Sequence, residues 1–233
     1  MTDTTPTPLT RKTVSDAVSP LGWRLVLRSL MTSVAVASLA DAVAVVELAA
    51  AVCGADADGH LRADVRRDRA LLSVLALDST SVTARDVDLA RRIGDAVTER
   101  GLRVDADVGS DGVRSAQAVE IAIDALDIAA VRPFWKAVMG YVDEPGRSGP
   151  QDALVDPLGQ APAIWFQQMD EPRPQRNRIH IDVSVPHDEA QRRITATLAA
   201  GGRLGYVAEA PAFWVLIDPE GNEACVTTWQ GRD

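Results

Sequence analysis

Apolar positions in the first hundred residues recur at helical spacing in three segments, with two short apolar runs between them. The helices are predicted at Thr10–Val18, Ser38–Val52 and Thr83–Gly101. Thr83 is a suitable N-cap for the last helix, and Gly101 stands where a glycine commonly ends one. The strands are predicted at Trp23–Leu30 and Ala70–Leu77. This order of elements predicts an α+β domain with helices on one face of an antiparallel sheet.

The second half of the chain contains an internal repeat of about sixty residues. Each copy has a strand, a helix, a turn that begins with Asp-Pro, and a closing strand. The first copy comprises Ala118–Ala125, Ile128–Met139, Asp156–Gly159 and Ala163–Gln167. The second comprises Arg178–Val185, Asp188–Ala200, Asp218–Gly221 and Ala224–Trp229. Units this short must pack together to bury their sheets, so we expect a pseudo-twofold domain with a pocket between its units.

A polar segment separates the two halves. Leu102–Gln117 contains three Asp, two Gly and two Ser and has no helical period. We therefore place a boundary near Gly109, between domains at residues 1–108 and 116–233.

Charge and composition narrow the classes of partner. The 233 residues include 24 Lys and Arg against 33 Asp and Glu, a net charge of −9, which opposes binding to nucleic acid or to an anionic membrane. Hydrophobic residues make up 46% of the chain, as in a globular protein. The apolar stretch Val34–Cys53 is interrupted by Asp41 and Glu47, which predicts a buried helix and not a membrane span.

The two cysteines and the N-terminal residues indicate the cellular compartment in which the protein is expected. Cys53 and Cys225 lie far apart and form neither a disulfide framework nor a zinc motif. The opening MTDTTPTPLTRK has no apolar core of a signal peptide. A cytoplasmic protein is therefore expected.

The repeat resembles the paired βαβββ modules of the vicinal oxygen chelate, or glyoxalase-like, superfamily. The matching stretches are VEIAIDALDIAAVRPFWKAVMGY, NRIHIDVSV and FWVLIDPEGNEACVTTW, within Gln117–Gln230. That superfamily includes lyases, isomerases, dioxygenases and resistance proteins that only bind a ligand. The resemblance therefore implies a fold and leaves the reaction open.

The first half resembles pterin-4a-carbinolamine dehydratase. The resemblance rests on Trp23, on the alanine-rich helix that ends near Cys53, and on the stretch Thr83–Ile93, TARDVDLARRI.

The histidines of that family are missing here. Its His-His-Pro falls on Ala55–Ala57 and its third His near Leu77. His60 could stand in for one of them or be a solvated loop residue. We expect a degenerate domain that serves packing, dimerisation or ligand recognition, because dehydration needs a positioned acid–base pair.

The glyoxalase-like resemblance implies a divalent metal bound by residues on the first and last strands of each module. The repeat-related first-strand residues are Glu120 and His180, which are expected to face one cavity. In the second module Cys225 stands where a Glu is usual, with Glu223 two residues earlier, and the first module has no usual ligand in Ala163–Trp165. Imidazole, carboxylate and thiolate ligands suit a borderline divalent metal.

Each candidate ligand has a structural alternative. Glu120 could pair with an arginine on an exposed strand face. His180 could donate a hydrogen bond to the backbone or to Glu120. Because residues alternate along a strand, His180 and Asp182 share a polar face opposite Ile179 and Ile181. Such a face suits either a ligand site or an ordinary sheet surface.

Aromatic residues concentrate in the second half and suggest a site for a planar ligand. Trp165 and Trp214 are the candidate platforms, with the Gln167 amide and Asp182 as polar partners. The alternative is that the rings belong to the core.

Three functions follow. The first is metal-assisted lyase, isomerase or oxygenase chemistry on a small oxygen-bearing molecule, with Glu120 and His180 as catalytic residues or ligands. The second is capture of a small molecule without chemistry. The third is residual pterin dehydratase activity. A homodimer is expected, formed through the sheet of the first domain.

Overall fold

The computed structural model describes residues 9–75, 81–108, 114–173, 175 and 179–231. The chain divides into two compact units, Met1–Ala118 and Val119–Asp233. The predicted boundary residue Gly109 and the predicted strand end at Leu77 lie outside the described residues.

The first unit combines helices with an antiparallel sheet. Its helices are α1 (Arg11–Val18), α2 (Leu39–Cys53), α3 (Ala57–His60) and α4 (Ala84–Glu99). Its strands are β1 (Arg24–Val26), β2 (Ser29–Ala35), β3 (Leu61–Arg66), β4 (Arg69–Val74), β5 (Val104–Asp105), β6 (Asp107–Val108) and β7 (Arg114–Ser115). The main sheet has the order β1-β2-β4-β3, with β5 also paired to β2, and β6 pairs with β7.

One face of this sheet is buried. Alternate residues of β4 (Ala70, Leu72 and Val74) are fully buried, and α2 and α4 supply further core residues such as Val45 and Ile93. The three predicted helices are confirmed to within a residue or two. None of the described helices has the length and apolar character needed to cross a bilayer.

The predicted strand Trp23–Leu30 is wrong in its extent. The segment forms β1 and the start of β2, joined by a two-residue turn at Leu27 and Arg28. Leu27 has φ +54°, a backbone conformation that residues other than glycine, asparagine and aspartate rarely adopt. The apolar pattern continues through the turn and conceals it.

The second unit consists of two βαβββ modules. The first contains β8 (Glu120–Ala125), α5 (Ile128–Met139), β9 (Val142–Asp143), β10 (Leu154–Val155) and β11 (Ala163–Gln168). The second contains β12 (Ile181–Ser184), α6 (Ala190–Ala199), β13 (Arg203–Leu204), β14 (Phe213–Ile217) and β15 (Glu223–Thr227). The sheet orders are β8-β11-β10-β9 and β12-β15-β14-β13.

The two modules share one strand register. In each, the first strand runs parallel to the last, with Ile121 opposite Ile164 and Ile181 opposite Ala224 at the same sequence separation. The predicted repeat and the α+β class are therefore confirmed.

One hydrophobic core serves both modules. Phe134 of α5 is fully buried, and Ile194 of α6 is nearly so. From the sheets, Ile164 and Val226 complete the same core. The strand faces that carry these residues therefore turn towards the helices, and the alternate residues of each strand turn away from the core.

Candidate functional site

Three potential metal ligands meet on the sheet of the second module, on the face turned away from the core. Asp182 of β12 lies opposite Cys225 of β15 in the parallel pair. His180 directly precedes β12 and, by strand alternation, projects to the same side as Asp182. One potential ligand atom from each of the three residues lies within 4.8 Å of the others.

This cluster offers nitrogen, oxygen and sulfur ligands with an open side. The His180 Nε2 atom lies 3.3 Å from Asp182 Oδ1, and both side chains are about half exposed, while Cys225 is buried. A mixed set of this kind suits Zn²⁺ or a neighbouring first-row divalent ion, and three protein ligands leave positions for water or substrate. The residues therefore fit a catalytic type of metal site.

The environment of Cys225 keeps its thiol protonated when no metal is bound. Burial raises the pKa of the Cys225 thiol to about 11, and the Asp182 side chain, which accepts its hydrogen bond, and the nearby Glu223 charge add to the effect. A metal that binds Cys225 must therefore displace a proton.

Glu120 is not part of this cluster. It begins β8, where it lies opposite Ala163, and its side chain is exposed. The repeat makes it the counterpart of His180, yet it is not among the ligand atoms that lie within 4.8 Å of one another. The counterparts of Asp182 and Cys225 in the first module are Ala122 and Trp165, so only the second module carries the ligand set.

The two candidate tryptophan platforms lie on different kinds of surface. Trp165 is 38% exposed and lies opposite Ala122 on the face turned away from the core. Trp214 lies opposite buried Val226 and packs against the core. The Gln167 amide is exposed and donates to the carbonyl of the next residue. The ligand site between the two rings stays a prediction.

A cavity of about 970 Å³ opens beside the first strands of the two modules. Its apolar wall is formed by Ile121, Ile123, Trp135 and Ile181. His180 lines it as well, so this histidine belongs both to the cavity lining and to the ligand cluster. Cys225, Asp182, Glu120 and the two platform tryptophans do not belong to its lining.

The rim of the cavity carries charged groups that sequence reasoning did not select. Asp124 pairs with Arg173 over 3.2 Å, and Glu220 and Glu223 also belong to the lining. Alternation along β8 would have placed Asp124 on the same face as Glu120, which is the signal that could have identified it.

A second polar pair lies in the first unit. The His60 Nδ1 atom is 2.7 Å from Asp86 Oδ1, and Asp86 is fully buried. The other carboxylate oxygen accepts hydrogen bonds from the backbone N–H and hydroxyl of Thr83 in the capping box of α4. His60 is thus held by a carboxylate and is not a free loop residue.

Residues 120–227 match the family model of the glyoxalase-like domain. The predicted glyoxalase-like domain in the second half is thereby confirmed, while the dehydratase-like character of the first half stays a prediction. The search of curated proteins gave no significant match.

Several solved structures align with about half of this chain. A glyoxalase/bleomycin resistance protein from Albidiferax ferrireducens T118 is 17% identical, with 47% of this chain and 95% of that chain covered and a TM-score of 0.37. A glyoxalase/bleomycin resistance protein/dioxygenase family enzyme from Burkholderia phytofirmans PsJN is 20% identical, with 47% and 95% covered and a TM-score of 0.37. The fosfomycin resistance protein FosX from Mesorhizobium loti is 10% identical, with 47% and 88% covered and a TM-score of 0.36.

Proposed function

We propose that the glyoxalase-like domain holds a divalent metal with His180, Asp182 and Cys225 and uses it for lyase, isomerase or oxygenase chemistry on a small oxygen-bearing molecule. The observation that carries the proposal is the convergence of three different ligand types within 4.8 Å. When bound, the metal would polarise a substrate oxygen.

The protein residues have separate tasks at such a site. Cys225 would hold the metal from the buried side, whereas His180 and Asp182 would hold it from the exposed side and leave room for a substrate. Because His180 also lines the cavity, a molecule in the cavity would approach the metal past its imidazole ring.

Metal content tests this proposal. We expect about one equivalent of metal by elemental mass spectrometry after incubation with Zn²⁺, Mn²⁺, Ni²⁺ or Fe²⁺ and gel filtration, since the cluster supports one ion. His180→Ala and Cys225→Ser should each lose it. His187→Ala is the matched control, because His187 contacts Trp229 and lies outside the cluster. Metal retained in both cluster variants would refute the site.

Within one copy of the chain Glu120 is not among the clustered ligands, so we propose that it serves the same metal from a second copy. A dimer is therefore required for the predicted role of Glu120 as ligand or catalytic residue. Light scattering at micromolar concentration should give a dimeric mass, and Glu120→Ala should then weaken metal binding. A monomer that binds metal fully would remove Glu120 from the site.

Binding without chemistry is the second candidate function. The observation that favours it is the largely apolar cavity, whose size is typical of sites for small organic molecules. A metal-free protein that gains thermal stability with a small-molecule ligand would support this candidate over the first.

Residual dehydratase activity in the first unit is the third candidate. It is supported by the contact between His60 and buried Asp86, which orients the imidazole ring. His60→Ala should then abolish dehydration of a pterin carbinolamine. A wild-type rate equal to the uncatalysed rate would eliminate this candidate.

For all three candidates we propose a cytoplasmic location, where Cys225 would stay reduced.

A further inference from the structure

The cavity of the second unit has an apolar interior and a charged rim. Ile121, Ile123 and Trp135 form one side of the interior. Among the residues that the structure describes, the charged side chains of the lining apart from His180 are Asp124, Glu220, Glu223 and Arg173. Three carboxylates against one guanidinium favour a positively charged or neutral molecule over an anion.

Arg173 occupies the position next to Asp124. Its guanidinium lies 3.2 Å from the carboxylate, but its side chain is 74% exposed, whereas Asp124 is 36% exposed. An ion pair with so exposed a partner is screened by water and contributes little to stability, so it can be exchanged at small cost.

We propose that this cavity binds a small organic cation with an apolar body, and that the cationic group of the ligand replaces Arg173 beside Asp124. The apolar body would lie against the isoleucines and Trp135, where burial of its surface supplies the affinity. The inference shares the cavity and His180 with the proposed function, but it does not need a bound metal, because Asp182 and Cys225 do not line the cavity.

Two probes with similar apolar bodies and opposite charges test whether the cavity prefers a cation or an anion. In isothermal titration calorimetry we expect 4-phenylbutylamine to bind with one-to-one stoichiometry and at least tenfold more tightly than 4-phenylbutyrate. The reverse preference would overturn the proposal and make Arg173 an anion-binding residue. Failure of both probes to bind would overturn it as well.

Variants locate the bound amine. Asp124→Asn should weaken amine binding about tenfold, and Arg173→Gln should strengthen it, because the competing cation is gone. A gain of affinity cannot arise from misfolding. Asp188→Asn, an exposed residue outside the lining, is the control and should bind as the wild type does.

Two further variants separate this site from the metal site. Ala122→Phe places a ring at an exposed position of the lining and should block the amine. Cys225→Ser, titrated with EDTA, should bind the amine unchanged even though metal binding is lost. Unaltered amine binding by both Asp124→Asn and Ala122→Phe would show that the probe binds elsewhere.

Discussion

The indole nitrogen Nε1 of Trp135 donates a hydrogen bond to the carboxylate of Asp218 over 3.1 Å, and both side chains are buried. Trp135 belongs to α5 of the first module, whereas Asp218 begins the Asp-Pro turn of the second. The same carboxylate accepts hydrogen bonds from the backbone N–H groups of Glu220 and Asn222. A single buried carboxylate thus orders the turn and joins the modules.

Trp135→Phe should destabilise the protein by about 1–3 kcal/mol, because it removes a hydrogen bond to a buried charged acceptor. Urea unfolding followed by circular dichroism measures the change. Trp165→Phe is the control, since its ring is partly exposed, and it should alter stability by less than about 0.5 kcal/mol. Equal losses in the two variants would contradict the role of the inter-module hydrogen bond.

Glu220→Ala should cost roughly 1 kcal/mol, the usual cost of losing a helix cap. Both carboxylate oxygens of Glu220 accept hydrogen bonds from backbone N–H groups at the start of α5, those of Leu126 and Asp127. The repeat supplies the control, because the corresponding residue of the first module, Leu158, is 74% exposed. Leu158→Ala should leave the unfolding midpoint unchanged, and a loss equal to that of Glu220→Ala would refute the capping contribution.

The acid stability of the second unit should depend on Asp143. Hydrogen bonds from Lys136 and Arg132 lower the pKa of this carboxyl below its usual value. A depressed native pKa contributes stability above the unfolded-state pKa of about 3.9, and this contribution disappears as the pH falls through the native value. Asp143→Asn should therefore cost about 1 kcal/mol at pH 7 and almost nothing near pH 2. A difference between variant and wild type that is independent of pH would contradict this assignment.

Asp182→Asn should make Cys225 more reactive in metal-free protein. Asp182 raises the pKa of the Cys225 thiol both as the acceptor of its hydrogen bond and through its charge. Because the thiolate is the nucleophile, a lower pKa should speed alkylation at pH 8, on the order of tenfold per pKa unit. Peptide mass spectrometry separates Cys225 from Cys53. An unchanged rate would mean that Asp182 does not act on the thiol.

Local signals predict the longer helices of this fold well. Helix α5 begins after the cap residue Asp127 and ends at Gly140, which adopts the left-handed conformation that favours glycine. Each of these signals lies within a few residues of the helix it delimits. The turn at Leu27 has no such signal, because leucine gives no indication of a positive φ.

The candidate site is only partly readable from the sequence. Strand alternation correctly groups His180 with Asp182, and the repeat correctly relates Glu120 to His180 in position within each module. The repeat carries no information about how the modules pack, so it cannot show whether Glu120 and His180 meet. Trp214 faces the core because it lies two residues before buried Leu216 on β14 and therefore shares its face of the strand.

Coordination by Cys225 is the central claim, and Co²⁺ substitution tests it most directly. Added to reduced, metal-free protein, Co²⁺ should produce a near-ultraviolet thiolate-to-cobalt charge-transfer band that saturates at one equivalent. Cys225→Ser should lose this band, and His187→Ala should keep it. Saturation at one equivalent without a charge-transfer band, or the same band in Cys225→Ser, would contradict a metal site built on His180, Asp182 and Cys225.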